Sequence, residues 1–294
     1  MTRDLSADTR LLGVIGDPVG HSLSPAMHNA ALEATGLDYV YVAFHVVPDL
    51  LVAAIQGMRA LRLCGLNVTV PHKQAVIGLL DEVTEEARSI GAVNTIQQVD
   101  GTLRGHNTDG FGVLQALRQE GGLERLPGCV ALLGAGGAAR AILHALLQQQ
   151  EVERVVLLNR TVARAEALAA ALDHRNAVTV ARLDAGSTAM IRPAGLLINA
   201  TSVGMYPHAD QSPLTDGRGL HDRMVVMDTV YNPSLTMLMQ QARCAGARAV
   251  NGMGMLAYQG ARSFQIWTGT WPPVDVMLQA VRSRLTAVHD RSNA

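Results

Sequence analysis

The chain alternates between two kinds of segment. Short apolar runs rich in β-branched residues are separated by longer Ala- and Leu-rich stretches whose apolar positions recur at helical spacing. The runs predict strands over 11–15, 39–46, 65–70, 130–133, 154–158, 195–198 and 224–228. The stretches predict helices over 25–35, 50–61, 71–80, 110–120, 138–149, 163–172, 234–245 and 255–268. Repeated strand-then-helix order is the pattern of an α/β fold with mainly parallel strands. A length of 294 residues accommodates two domains. One boundary is expected within 109–119, just before a glycine-rich segment. A second crossing is expected within 251–255, after which the chain returns to the first domain.

Composition removes several function classes. Charged residues make up 17% of the chain, below the roughly 25% of an average protein, which argues for a packed chain over a disordered one. The 24 Lys and Arg against 25 Asp and Glu give a net charge of −1, so no electrostatic excess serves a nucleic-acid backbone or an anionic membrane. Aromatic residues, at 3%, are too few for a base-stacking platform. The segment 130–147 is the most apolar, but Arg140 and three glycines interrupt it. The expected partner is a small molecule, not nucleic acid or membrane, with the chain acting as a monomer or homodimer. Cys64, Cys129 and Cys244 are widely spaced and odd in number, and the first residues lack a signal-peptide layout. Both features point to a cytoplasmic, reducing setting. The ten histidines are scattered without HExxH spacing and read as surface or capping residues, with no metal site expected.

The glycine-rich segment carries the clearest chemistry. Gly134-Ala135-Gly136-Gly137-Ala138-Ala139 follows the apolar run 130–133 and opens a helical stretch. This is GxGxxA in the strand–turn–helix setting of a dinucleotide site. Gly134 permits the turn, Gly136 lets backbone approach a pyrophosphate, and Ala139 keeps the helix close to its strand. The helix N-terminus offers N–H groups to the phosphates. At the end of the next strand an NAD site expects Asp or Glu, yet the sequence reads Asn159-Arg160-Thr161-Val162-Ala163-Arg164. Two guanidinium groups suit a 2′-phosphate, and Thr161 suits a helix N-cap, so NADP is favoured. The plainer reading of Arg160 and Arg164 is an exposed pair at a helix start.

Three further helix starts stand out. In His21-Ser22-Leu23-Ser24-Pro25, Ser24 suits an N-cap and Pro25 a first helical position; alternatively, Ser22 and Ser24 aim hydroxyls at a small carboxylate. In Asn67-Val68-Thr69-Val70-Pro71-His72-Lys73, the lysine falls in the first turn of the expected helix over 71–80. The positive helix end would there depress its pKa and favour proton exchange. A solvated surface lysine is the alternative. In Gly105-His106-Asn107-Thr108-Asp109-Gly110, Asp109 either caps a helix or holds the Lys73 ammonium. A Lys–Asp pair suits proton transfer to a carbonyl oxygen as hydride arrives.

Nine blocks resemble the shikimate dehydrogenase family: GDPVGHSLSPAMHN (16–29), NVTVPHK (67–73), GAVNT (91–95), HNTDG (106–110), GAGGAARA (134–141), NRT (159–161), NATSVGM (199–205), VYNPSLT (230–236) and NGMGMLAYQGARSFQIWTG (251–269). They run in family order and cover most of the chain. The resemblance implies NADPH-dependent reduction of 3-dehydroshikimate to shikimate, a step toward chorismate and the aromatic amino acids. It implies an α/β substrate-binding domain over 1–109, joined by returning helices of 252–294. A Rossmann-like NADP-binding domain would span 110–251, with the active cleft between the two. Ser22 and Ser24 would hold the substrate carboxylate. Thr69, Lys73, Asn94, Asp109 and Gln259 would bind ring hydroxyls and the reacting oxygen, with Lys73 and Asp109 as the catalytic pair and Tyr231 near the substrate. Gly134, Ala135, Gly136, Gly137, Ala138, Asn159, Arg160, Thr161, Arg164, Thr229 and Gly252 would line the cofactor. The amides of Asn94 and Gln259 both donate and accept, as a polyhydroxylated ring requires. Asn199-Ala200-Thr201-Ser202 is expected at the carboxyl edge of a sheet. Two other functions compete: a quinate/shikimate dehydrogenase of broader acid or nucleotide use, and a non-catalytic nucleotide sensor, which the presence of Lys73 and Asp109 disfavours.

Overall fold

The computed structural model describes residues 5–292. The chain forms two compact units, one of residues up to Thr108 together with those from Gln259 onward, the other of Asp109–Tyr258. The first holds β1 (Arg10–Gly16), α1 (Ser24–Thr35), β2 (Tyr39–His45), α2 (Leu51–Ala60), β3 (Gly65–Val68), β4 (Glu82–Val83), α3 (Glu85–Ile90), β5 (Thr95–Val99) and β6 (Thr102–His106). The second holds α4 (Asp109–Gln119), β7 (Cys129–Leu133), α5 (Gly137–Leu147), β8 (Arg154–Asn159), α6 (Val162–Leu172), β9 (Val178–Arg182), α7 (Thr188–Ile191), β10 (Leu196–Asn199), β11 (Val225–Asp228), α8 (Met237–Cys244) and β12 (Arg248–Asn251). Helix α9 (Met253–Thr268) contains the second dividing point, and α10 (Val274–Ser292) belongs to the first unit.

The second unit is a six-stranded parallel sheet in the order β12-β11-β10-β7-β8-β9. Its strands are apolar without alternation because both faces are covered. Val130, Leu132, Val155, Leu157, Leu196 and Ile198 bury on one face with α4, α5 and α6. Ala131, Leu133, Val156, Leu158 and Leu197 bury on the other with α8. Each Val, Leu or Ile side chain among them contributes about 1.5–3 kcal/mol by leaving water. Strand order reverses between β7 and β10, where open α/β sheets bind ligands at their carboxyl ends.

The first unit is a mixed sheet in the order β2-β1-β3-β5-β6-β4. β1 runs parallel to β2 and β3, whereas β3, β5 and β6 are successively antiparallel. Period-two alternation sends Leu66 and Val68 into an apolar cluster with Ile55, Met58 and Ile96. Asn67, between them, faces the opposite side, toward Tyr41 and Ser263 of α9.

The α-helix expected over 71–80 does not form. Residues 71–74 make turns, and only Ala75–Leu79 wind into a 3₁₀ helix. The reason is competition for carbonyls. An α-helix would bond Ile77 N–H to the Lys73 carbonyl, but that carbonyl accepts from Val93 N–H at 2.8 Å and Ile77 turns to Gln74 instead. The α-helix N-terminus expected at Lys73 is therefore not formed.

Candidate active site

In the first unit, the carboxyl ends of β1 and β3 carry adjacent loops. The Asp17 N–H donates to Val70 O at 3.0 Å and the Thr69 N–H to Ile15 O at 3.0 Å. The β1 loop bears Ser22, half-buried, and Ser24, buried. Ser24 is not the N-cap the sequence suggests: Leu23 occupies that position, Ser24 opens α1, and no side chain caps the helix. The Ser22 hydroxyl accepts the Ser24 N–H at 3.3 Å, and the Ser24 hydroxyl reaches the Tyr41 phenol. The β3 loop bears Thr69 and Lys73, both half-buried. It is anchored by His72, whose Nε2 lies 2.6 Å from Val46 O. The Val68 N–H donates to Asn94 O at 2.8 Å, bringing Asn94 beside this loop. The Asn94 Nδ2 donates to Gln259 Oε1 at 3.3 Å, which adds α9 to the group. Ser22, Ser24, Thr69, Lys73, Asn94 and Gln259 thus gather at one sheet edge.

Two histidines depart from the surface or capping reading. His28 and His72 are buried. His28 stacks on Tyr41 with centroids 4.3 Å apart, and neither ring nitrogen has a hydrogen bond of ordinary geometry. Burial holds it down to about 3, and the nearby Asn67 amide offsets little of that effect. Helical spacing from Ser24 and Met27 puts His28 on the inward face of α1, where its neighbours are aromatic.

In the second unit, strand ends are aligned by backbone bonds. The Gly134 N–H donates to Leu158 O, Ala200 N–H to Leu133 O, and Thr229 N–H to Asn199 O, at 2.8–3.0 Å. Gly134 has φ +106°, and a Cβ there would lie 3.0 Å from Thr201 Cγ2 and 3.1 Å from the Ala200 backbone. Gly136 is exposed, caps α5 and would meet nothing with an added Cβ. Ala135, Gly137 and Ala138 complete the turn and the first residues of α5, all half-buried. At the end of β8, the Asn159 Nδ2 donates to Thr161 O at 2.8 Å. Thr161 is the N-cap residue of α6, but its hydroxyl makes no capping bond. Arg160 and Arg164 are exposed, and neither has a carboxylate partner among the described residues. Two cations beside a positive helix end are unfavourable unless an anion joins them. The residues present fit a dinucleotide carrying an added phosphate.

Thr229 and Gly252 meet at the ends of β11 and β12, so closely that a Cβ on Gly252 would lie 2.1 Å from Thr229 O. The Asn199 segment is at the carboxyl edge but is largely occupied internally. Asn199 Nδ2 donates to Asp228 Oδ1 at 2.9 Å and its Oδ1 accepts from Thr201. Burial raises Asp228, opposed by hydrogen bonds from Thr236, Val230 and Asn199. Asp109 is buried at the start of α4, where a carboxylate favours the helix dipole. Tyr231 is half-buried, and desolvation pushes its phenol up.

Three family models match: the shikimate dehydrogenase substrate binding domain over residues 14–96, shikimate/quinate 5-dehydrogenase over 123–210, and the shikimate 5′-dehydrogenase C-terminal domain over 252–282. A shikimate dehydrogenase (NADP(+)) of Methanopyrus kandleri is 46% identical over 284 residues, 96% of this chain and 98% of that one. The chain belongs to the shikimate dehydrogenase family. Among solved members, a shikimate dehydrogenase in complex with NADP+ superposes with TM-score 0.90 at 43% identity, covering 96% of this chain and 98% of that one. The enzyme from Listeria monocytogenes, solved with shikimate and NAD, gives TM-score 0.86 at 37% identity over 95% and 98% of the two chains. The amides at the sheet edge are backed by residues to which the motifs assign no role: Tyr41, Thr95 and Ser263, which bond to them or to Asn67. The available signal was Asn67 itself, a polar residue in a strand buried at every position.

Proposed function

We infer that the chain is an NADP-dependent shikimate dehydrogenase, which reversibly reduces 3-dehydroshikimate to shikimate. The observation that carries the reading is the hydroxyl, ammonium and amide array at the carboxyl edge of the first sheet. Its donors and acceptors suit a small carboxylic acid bearing several ring hydroxyls. Ser22 and Ser24 hold the carboxylate. Thr69, Asn94 and Gln259 bind ring hydroxyls, and Tyr231 lies near the substrate. Gly134, Ala135, Gly136, Gly137 and Ala138 receive the pyrophosphate at the start of α5. Asn159, Arg160, Thr161 and Arg164 take the adenosine end with its 2′-phosphate, and Thr229 and Gly252 complete the cofactor lining. When bound, the nicotinamide supplies the hydride. Lys73 gives a proton to the substrate carbonyl oxygen as it becomes a hydroxyl, and takes it back in the reverse direction. Asp109 holds the ammonium for that transfer.

The three free cysteines, Cys64, Cys129 and Cys244, support action in a reducing compartment such as the cytoplasm. We propose a monomer or homodimer, which light scattering of the purified protein decides. Function is tested by initial rates with shikimate and quinate, each with NADP+ and NAD+. Shikimate with NADP+ is expected to give the highest kcat/KM. A preference for quinate with NAD+ would replace this reading by that of a broader or quinate-directed dehydrogenase.

A further inference from the structure

The edge residues are underlain by a buried lattice of hydroxyls and amides. The Tyr41 phenol donates to Asn67 Oδ1 at 2.8 Å. Asn67 Nδ2 lies 3.1 Å from Asn94 O, Thr95 Oγ1 and Ser263 Oγ. Thr95 and Ser263 are 2.7 Å apart, and Ser263 is 3.2 Å from Thr108 Oγ1. Thr95 and Ser263 are wholly buried, and Tyr41 and Thr108 nearly so. Such a set belongs to the core only if every member is satisfied.

Proton accounting gives the lattice a direction. The Asn94 Oδ1 accepts from the Thr108 backbone N–H at 2.9 Å, and a backbone N–H cannot reverse its role. It also accepts from the Thr95 hydroxyl at 2.9 Å. With its oxygen so committed, the Asn94 amide must present Nδ2 to Thr108 Oγ1 and Gln259 Oε1. Gln259 Oε1 is thereby turned toward Asn94, which fixes the orientation of the Gln259 amide too. The one Thr95 proton goes to Asn94 Oδ1, so across the 2.7 Å contact it is Ser263 that donates to Thr95 Oγ1, while the Ser263 oxygen accepts from Asn67 Nδ2.

We propose that Thr95 and Ser263 are positioning residues that, together with the Thr108 N–H, hold the amide polarity of Asn94 and through it Gln259, and so sharpen which pattern of ring hydroxyls the enzyme accepts. The proposal rests on the functional reading above, in which those two amides bind the ring. A fixed donor–acceptor pattern rejects an analogue lacking one hydroxyl because a buried polar group is left unpaired. An Asn94 amide held by the Thr108 N–H alone would turn over more readily and partly adapt, and discrimination would fall.

The test uses the full-length enzyme and the variants Ser263→Ala, Thr95→Val and Thr95→Ser. Shikimate and an analogue lacking one ring hydroxyl are compared by kcat/KM with saturating NADP+. Expected for Ser263→Ala and Thr95→Val is a loss of discrimination of about tenfold. It should be carried by a higher KM for shikimate, with KM for NADP+ unchanged. Thr95→Ser, which retains the hydroxyl, should restore discrimination. Ratios equal to the parent enzyme in folded Ser263→Ala and Thr95→Val, whatever the change in melting temperature, would leave the lattice a purely structural role and overturn the proposal. A parent enzyme that turns over no shikimate would instead overturn the functional reading, and the inference with it.

Discussion

A lysine serves as a proton donor only where its ammonium is held at the atom that changes charge. Lys73 is half-buried on a turn whose carbonyl is bonded to Val93, so its backbone is fixed without a helix. Lys73→Ala is expected to retain shikimate binding, measured by calorimetry, while turnover falls about 10²–10⁴-fold. If Lys73 and Asp109 act as one unit, Asp109→Asn and the double variant should lose about as much as the single lysine variant, because losses within a unit do not add. Independent losses that multiply would dissolve the pair. Arg160 and Arg164 make a separable case. Their alanine variants should raise KM for NADP+ by about tenfold while leaving KM for NAD+ almost unchanged, since guanidinium–phosphate bonds are the only ones removed. Equal effects on both nucleotides would return the two arginines to the plain role of an exposed helix-start pair.

At the scale of elements, two glycines in one turn separate folding from binding. Gly134→Ala places a side chain at φ +106° against Ala200 and Thr201, and should destabilise the protein by about 1–3 kcal/mol in urea denaturation. Gly136→Ala meets open space at an extended backbone conformation. It should leave stability within about 0.5 kcal/mol and still weaken NADP+ binding, because the added methyl occupies the approach to the pyrophosphate. Equal stability of both variants would refute the turn argument. The same turn shows what the sequence discloses well. A strand buried on both faces, three small residues and a helix are all local properties, and β7, its turn and α5 follow from them. Elements decided by distant partners are less legible. The carbonyl of Lys73 goes to Val93 rather than along a helix, which no local pattern announces. Ser24 and Thr161 were suited to capping by type, yet neither side chain caps, since Ser24 reaches Tyr41 and Thr161 leaves its hydroxyl out of the helix. The β5–β6 hairpin was legible and passed over: Asp100 and Gly101 both have positive φ, as an Asp-Gly turn between alternating strands demands. Of the site, the residues in loops after strands were readable because they interrupt apolar runs. The lattice beneath them was not, because Thr95 and Asn67 meet Ser263 only when α9 packs on the sheet.

For the whole molecule, the buried imidazoles fix how stability depends on acidity. His28 has an ordinary value of 6.5 and is held down to about 3 by burial among Tyr41, Phe264 and Trp267. The unfolded chain therefore takes up this proton first as pH falls. Between about 6.5 and 3 the unfolded state binds more protons than the folded one, so stability is full above that window and declines through it. Each pH unit inside the window costs about 1.4 kcal/mol from His28 alone, or roughly 3 kcal/mol by pH 4. His106 is held down to about 4 by burial and by Arg104 and Arg262, and acts in the same direction. Asp228 opposes them: burial holds it above its ordinary value, so the folded state takes up that proton first as pH falls toward the carboxylate range. The two histidines act from higher pH, so the net slope between pH 6 and 5 should be a loss of stability. Urea midpoints at half-unit steps from pH 7.5 to 4.5 measure it. His28→Phe keeps an aromatic ring on Tyr41 and removes the titrating group. Its stability should decline with a slope shallower by about one proton across pH 6 to 4.5, whatever its absolute midpoint. A variant slope equal to that of the parent would mean that His28 is protonated within the fold, against its enclosure by three aromatic rings.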